Sequence, residues 1–378
     1  MQPVKLVFLG DYCNSSNRLI ETGPKLSQFL GEADAVLLDL EAPVIEIGNF
    51  RPEIKVGPNL SQPPAAIATC RTWGVTHYSL ANNHIMDFGA EGLAATISEL
   101  KGFTYFGAGM SAEEAYRPVF IDSPQGRIGL LAFAEAQFGV CDPDTQSFAG
   151  FAWFTHPKAR RAVIETRKQC NYLIVQVHAG LEFVTLPLPE IRQRYREFVD
   201  LGADLVVGHH PHVFQGSEVY RNKWIHYSLG NFILDMMMSN PNASGAILSV
   251  TIDQQGLSSE LHPLEHAHDK VEIAPLESQF VKSYQDYCEK LQAPDYLEAV
   301  TKICRDKWQE YYEDYYLQSL NALGTRPNIK RSARLLKRLM KRGRDVHGIN
   351  HRQNTALLLH NIRIETHRWV VQRALSSE

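Results

Sequence analysis

Ala203-Asp204-Leu205-Val206-Val207-Gly208-His209-His210-Pro211-His212 runs from an apolar strand pattern straight into three imidazoles around a proline. The run has strand length and β-branched residues, and it stops at a glycine. The same arrangement recurs upstream. Residues 4–10 lead to Asp11, 35–40 to Glu41, 75–81 to Asn82-Asn83-His84, and 171–177 to His178. Five apolar runs therefore end in side chains able to bind a metal. In α/β sheets the carboxyl ends of the strands face the ligand crevice, so these residues are expected to converge.

Working outward, helical patterns at 91–100, 157–169 and 190–201 lie between the apolar runs. Such alternation predicts an α/β domain with largely parallel inner strands. Residues 118–122 and 127–133 flank Ser123-Pro124-Gln125-Gly126, a hairpin signal. After Gly208 the pattern turns to β runs at 213–220, 224–234, 246–253 and 257–261. Beyond residue 274 the composition changes, so the expected division is a main domain over 1–274 and a helical, basic extension over 275–378. Trp308, Tyr311, Tyr312, Tyr315 and Tyr316 recur at helical spacing, as in a helix docked by an aromatic stripe. Residues 326–344 are rich in Lys and Arg and hold no acidic residue. They read either as a solvated face or as an amphipathic helix for an anionic membrane or acidic polymer.

A chain of 378 residues with 44% hydrophobic and 21% charged residues can bury a large core, which excludes disordered and collagen-like classes. A net charge of -4 argues against a whole-surface nucleic-acid binder, and no specific nucleic acid is expected. The N-terminus lacks the basic, apolar and small-residue regions of a signal peptide, and no stretch approaches the ~20 apolar residues that span a bilayer. Six dispersed cysteines fit reduced thiols. The expected location is cytoplasmic, with peripheral contact at a membrane surface as the variant that 326–344 allows.

Carboxylate, amide and imidazole donors suit Mn, Fe or Zn, with Mg less favoured by imidazole. One zinc needs about four donors. Asp11, Glu41, Asn83, His178, His210 and His212 exceed that, so two divalent ions are the economical reading. Taken singly, each residue has a plainer account. Asp11 reads equally as a turn or cap residue, and a buried His as a satisfied core group. Their joint placement points to a metal site, because the plain account must otherwise be invoked separately for each strand.

At these residues the sequence resembles the CapA family, named for poly-γ-glutamate capsule biosynthesis, within the calcineurin-like metallophosphoesterase superfamily. The matching segments are Phe8-Leu9-Gly10-Asp11, Leu40-Glu41-Ala42-Pro43, Leu80-Ala81-Asn82-Asn83-His84 with Asp87 and Gly89, and His178-Ala179-Gly180-Leu181-Glu182. Gly208-His209-His210-Pro211-His212-Val213 and Tyr227-Ser228-Leu229-Gly230-Asn231-Phe232 complete the set, in family order. The resemblance implies a four-layer α/β/β/α metallophosphoesterase-like sandwich with the site at the edge of the two inner sheets. It also implies that Asp11 and His212 hold one metal, that Asn83, His178 and His210 hold the other, and that Glu41 bridges them. His84 would then be the acid or oxyanion binder, with Asp87 fixing its tautomer. The family's His-x-His pattern selects His210 and His212 over His209.

Several residues depart from the pattern. Asp39 stands where the family commonly has Asn, Ala179 replaces a usual Trp, and Cys13 lies where superfamily members place a His ligand. Glu182 could orient His178, meet a substrate cation or form a plain ion pair. Lys55 and Arg51 read as phosphate or carboxylate binders or as solvated surface. Asn231 fits a turn that supports the histidine loop. The expected activity is hydrolysis of a phosphorylated small molecule or polymer precursor. Amide chemistry on a polyglutamate, or a non-catalytic accessory role in a capsule or polysaccharide machine, are the alternatives.

Overall fold

Strands that are apolar along their whole length need cover on both faces. Ala35–Leu40 is buried at every position, and Tyr172–His178 at all but its first. In the computed structural model both lie inside a stack of layers. It describes residues 2–144, 149–237, 245–267, 269–275, 278–316, 357, 360–361 and 363–376, so the basic stretch 326–344 lies outside the described residues.

The first sheet runs in the order Glu21–Thr22, Lys270–Ile273, Gly256–Ala267, Ala246–Asp253, Val4–Cys13, Ala35–Leu40, Val75–Ser79, Thr104–Phe106, and Asn231–Leu234 also pairs with Val4–Cys13. Val4–Cys13, Ala35–Leu40, Val75–Ser79 and Thr104–Phe106 are mutually parallel. The second sheet runs Ser217–Tyr220, Lys223–His226, Leu205–His209, Tyr172–His178, Gly126–Ala134, Val119–Ser123, with four parallel central strands. The predicted hairpin is present as Val119–Ser123 against Gly126–Ala134. A short third sheet joins Ala108–Gly109, Gly150–Ala152 and Val140–Cys141.

One apolar cluster joins the facing sides of the two large sheets, with Phe8 and Leu37 from the first and Ile128, Leu130, Ile174, Leu205 and Val207 from the second. At about 1.5–3 kcal/mol for each fully buried Leu, Ile, Val or Phe, this layer is a major source of stability and holds the sheets at fixed spacing. On the outer side of the second sheet lie the helices Pro157–Arg167 and Pro189–Asp200, where Phe198 stacks on Phe133 and Tyr195 Oη donates to Val177 O. On the outer side of the first lie Pro24–Gly31 and Ala65–Thr72, with Trp73 edge-on to Tyr12. The layers are therefore helix, sheet, sheet, helix, the expected α/β/β/α sandwich.

A bulge in the first strand sets the site. Phe8 pairs with Leu37, but Asp11 pairs with Asp39, so three steps on one strand match two on the other. Lys5 lies over the ring of Phe29 on the outer helix, and after the bulge Tyr12 takes the outer side. The extra residue reverses the alternation and turns Asp11 to the same inner face as Asp39. Gly10 allows it, since a Cβ there would lie 2.2 Å from Gly230 O.

The run expected as one strand over 224–234 is two strands in different sheets. Lys223–His226 belongs to the second and Asn231–Leu234 to the first, with the chain crossing at residues 227–230. Both halves are apolar, so periodicity could not show the change of sheet. The helices Pro24–Gly31 and Ala65–Thr72, each opening beside proline, were also not anticipated.

By contacts the chain forms two units, one of Met1–Glu53 and Asn59–Leu297, the other taking in Ile54–Pro58 and resuming at Glu298. In the second unit a wider helical turn, Trp308–Tyr312, sets Tyr312 edge-on to His367 at 4.6 Å, and Tyr316 Oη donates to Asn361 O. Among the described residues no helix is long and apolar enough to cross a membrane.

Candidate metal centre

The strand ends of the first sheet bring oxygen donors. Asp11, Asp39 and Glu41 are fully buried, and Asn83 nearly so. Asn82 shapes the turn that presents Asn83. Its Nδ2 donates to Leu40 O at 2.8 Å, and its Oδ1 accepts from the N–H groups of His84 and Ile85. The second sheet brings nitrogens, with His178 and His209 at strand ends and His210 and His212 in the following turn, all buried.

The two sets meet. His178 Nδ1 lies 2.9 Å from Asp39 Oδ2, and its Nε2 lies 2.9 Å from Asn83 Oδ1, 3.0 Å from His210 Nδ1 and 3.7 Å from Glu41 Oε1. His209 Nδ1 lies 2.9 Å from Asp11 Oδ1, while the backbone N–H of His210 donates to Asp11 Oδ2 at 3.0 Å. His212 Nδ1 lies 3.0 Å from Asn231 Oδ1 and 3.4 Å from Asp11 Oδ2, and its Nε2 lies 3.5 Å from Glu41 Oε1. By proximity the donors fall into Glu41, His210 and His212 on one side and Asp11, Asp39 and His178 on the other. That grouping cuts across the ligand sets implied by resemblance, because it joins His210 to His212 and His178 to Asp11, while Glu41 stands within 4 Å of imidazoles from both sets, as a shared ligand would.

Burial and charge act strongly here. Burial pushes the Glu41 carboxyl well up and the Asp39 carboxyl to about 7, and it pushes the His178 and His210 imidazoles well down. Burial opposes ionisation of Asp11 too, but hydrogen bonds from His209 and His212 outweigh it and hold that carboxyl well below its usual range. For His212, burial is overcome by the charges of Glu41 and Asp11, which push the imidazole up to about 10. The neutral state of His178 and His210 is the one a ligand needs. Neither oxygen of Glu41 has a hydrogen-bond partner among the described residues. A buried carboxylate in that condition is costly unless a cation meets it, so the residues fit bound metal.

His84 Nδ1 lies 2.7 Å from Asp87 Oδ2, which also accepts from Leu60 N–H. Asn231 is buried between His212 and Met237. Glu182 is exposed, and its charge reaches Glu41, His210 and His212; no hydrogen bond joins it to His178. Lys55 is half-buried in the second unit, where its charge acts on His360. Cys13 packs with Ala42, Leu60 and Leu234 as a small buried hydrophobe. His210, His212 and Phe183 have φ of 95°, 55° and 59°, a strained region for such side chains. Two site residues escaped sequence reasoning. Gln176 reaches His209 Nε2 at 3.3 Å, and Glu135 receives Gln137 Nε2 and the Gly180 N–H. Glu135 directly follows Gly126–Ala134, so the strand-end rule could have found it.

Comparisons with known proteins place the chain in a family. The chain is 32% identical over 219 residues to a capsule biosynthesis protein CapA of Bacillus anthracis, covering 56% of this chain and 53% of that one. It is 30% identical over 216 residues to a PGA biosynthesis protein CapA of Bacillus subtilis, covering 54% of each. The chain thus spans about half the length of the curated relatives it matches. Among solved structures it is similar to a phosphatase of Mycoplasma pneumoniae, at 15% identity and a TM-score of 0.43, over 75% of this chain and 99% of that one. The family model described as bacterial capsule synthesis protein PGA_cap matches residues 20–236, more than half of the sequence, and the chain belongs to that family.

Proposed function

We propose that the chain is a hydrolase dependent on two divalent metal ions, acting on a phosphate ester in capsule-related metabolism. The observation that carries this reading is Glu41, buried with no hydrogen-bond partner among the described residues and set between imidazoles of two ligand groups. Asp11 and His212 would hold one ion, and Asn83, His178 and His210 the other, with Glu41 shared. Two such ions supply an activated water and neutralise charge at the ester. His84, its Nδ1 held by Asp87 Oδ2 at 2.7 Å, would carry a proton to the leaving oxygen. The apolar layer beneath the ligands excludes bulk water and strengthens every charge in the site.

Mn²⁺-loaded protein is expected to hydrolyse an aryl phosphate and to hold two ions per chain by elemental analysis, with activity abolished in His210→Ala. Absence of turnover with Mn²⁺, Fe²⁺ and Zn²⁺ in a folded protein would refute it. One observation favours a second reading, since a relative at 30% identity is called a PGA biosynthesis protein. The same residues would then act at an amide of a γ-linked polyglutamate, and product assays on both substrates separate the two. A peripheral contact with membrane or acidic polymer through 326–344 remains part of the proposal, to be tested by salt-sensitive retention on anionic vesicles.

A further inference from the structure

Two of the hydrogen bonds that link the sheets at the site have the same composition and length. His209 Nδ1 meets Asp11 Oδ1 at 2.9 Å, and His178 Nδ1 meets Asp39 Oδ2 at 2.9 Å. The four residues are in register. Asp11 pairs with Asp39 on neighbouring strands of the first sheet, and His178 pairs with His209 on neighbouring strands of the second. All four side chains are buried. The result is two parallel Asp–His rungs across the gap between the sheets, at the strand ends where the donors converge.

The roles within the rungs are exchanged. Resting on the ligand assignment proposed above, Asp11 is the ligand in one rung and His209 its support. In the other, His178 is the ligand and Asp39 the support. We propose that Asp39 and His209 are the positioning residues of the centre, each serving a different ion. His178 Nδ1–H donates to Asp39 Oδ2 in this arrangement, which leaves Nε2 as the nitrogen that carries the lone pair. That Nε2 is the atom that Asn83 Oδ1 and His210 Nδ1 approach. His209 donates to one oxygen of Asp11 while the His210 backbone N–H donates to the other, which fixes the plane of that carboxylate. Gln176 Oε1 accepts from His209 Nε2 at 3.3 Å, so His209 has both nitrogens engaged and neither left for a metal. Partners of this kind orient a ligand and raise its basicity, and their loss typically costs about 10–100-fold in metal affinity.

The test is calorimetric titration of the metal-free full chain with Mn²⁺, which resolves two stepwise affinities. Asp39→Asn is expected to weaken one step about 10–100-fold and leave the other unchanged. His209→Gln is expected to weaken the step that Asp39→Asn spares, and the double variant to weaken both steps. Unchanged affinities in either variant overturn the proposal, as does weakening of the same step by both. Saturation of Asp39→Asn at a single ion also overturns it, because Asp39 would then be a ligand. A wild-type chain that binds no ion refutes the metal reading itself, a distinguishable failure. Should a variant not fold, ¹⁵N spectra of the histidine-labelled wild type with Zn²⁺ decide the matter. His178 Nε2 is expected to move to a metal-bound shift while His209 keeps a protonated Nδ1, and a metal-bound shift at His209 would refute its assignment.

Discussion

The strands of the first sheet end in oxygen donors, and those of the second end in imidazoles. Asp11, Asp39, Glu41 and Asn83 come from one side, and His178, His209, His210 and His212 from the other. The halves differ in backbone as well as chemistry. Among the donors, positive φ outside glycine occurs only in the second half, at His210 and His212, with Phe183 beside them. Oxygen donors set by a bulge and by turns of ordinary φ, and two imidazoles on a turn of positive φ, make different demands. The first half is held by strand pairing and backbone hydrogen bonds, whereas the second stores strain that packing, and metal bound as proposed, would offset.

Four measurements would break or sharpen this contrast. The largest effect is expected from Glu41→Gln, the oxygen donor that faces both imidazole groups. Activity with Mn²⁺ should fall at least about 10³-fold, beyond the 10–100-fold typical of supporting partners, while metal-free stability, read by urea unfolding, should not fall. Next is removal of the ions. Chelation should lower the unfolding free energy by about 3 kcal/mol per ion, relative to metal at 100 times its Kd. Hydrogen exchange should then quicken more at residues 209–214 than at 11–13, and equal changes in the two halves would contradict the contrast.

The third test strikes the first half alone. A Cβ at Gly10 would lie 2.2 Å from Gly230 O and 2.9 Å from Phe232 N, both backbone atoms. Gly10→Ala should destabilise by about 2–3 kcal/mol and weaken metal binding by displacing Asp11. The smallest effect concerns the outer side of the second sheet. Burial raises the Glu218 carboxyl, but hydrogen bonds from Arg196, Arg192 and Tyr227 outweigh it and bring it from 4.5 to about 2. Its folded pKa lies below the unfolded one, so its contribution is complete above about pH 4.5 and is lost as the pH falls through about 2. After a discount for solvent screening at the partly exposed Arg196, that loss should amount to about 2 kcal/mol, and Glu218→Gln should flatten the acid limb of a pH–stability curve.

Much of the arrangement was legible in the sequence because strand ends and apolar periodicity are local properties. Apolar runs ending in Asp11, Glu41, Asn83 and the histidines are enough to point to their convergence. What stayed hidden depends on partners distant in sequence. The bulge that turns Asp11 inward is visible only against Ala35–Leu40, and nothing between Phe8 and Asp11 announces it. The run 224–234 reads as one strand because both of its sheets demand apolar residues. His209 looked redundant beside His210 and His212, and its role appears only when Asp11 is placed opposite it. Glu135 was overlooked although it obeys the rule that located the others.

The passage of the chain from His226 to Asn231 bears on when the centre comes into being during synthesis. Asn231 supports His212 and lies beside Asp11, more than two hundred positions earlier in the chain. A nascent chain that has emerged as far as His212 already carries every proposed ligand. It still lacks the segment that pairs with Val4–Cys13 and holds the histidine turn in place. Contacts of such separation form late, after local structure has collected. On the proposed ligand set, metal capture would come late in the life of the new polypeptide, after the two sheets are tied together.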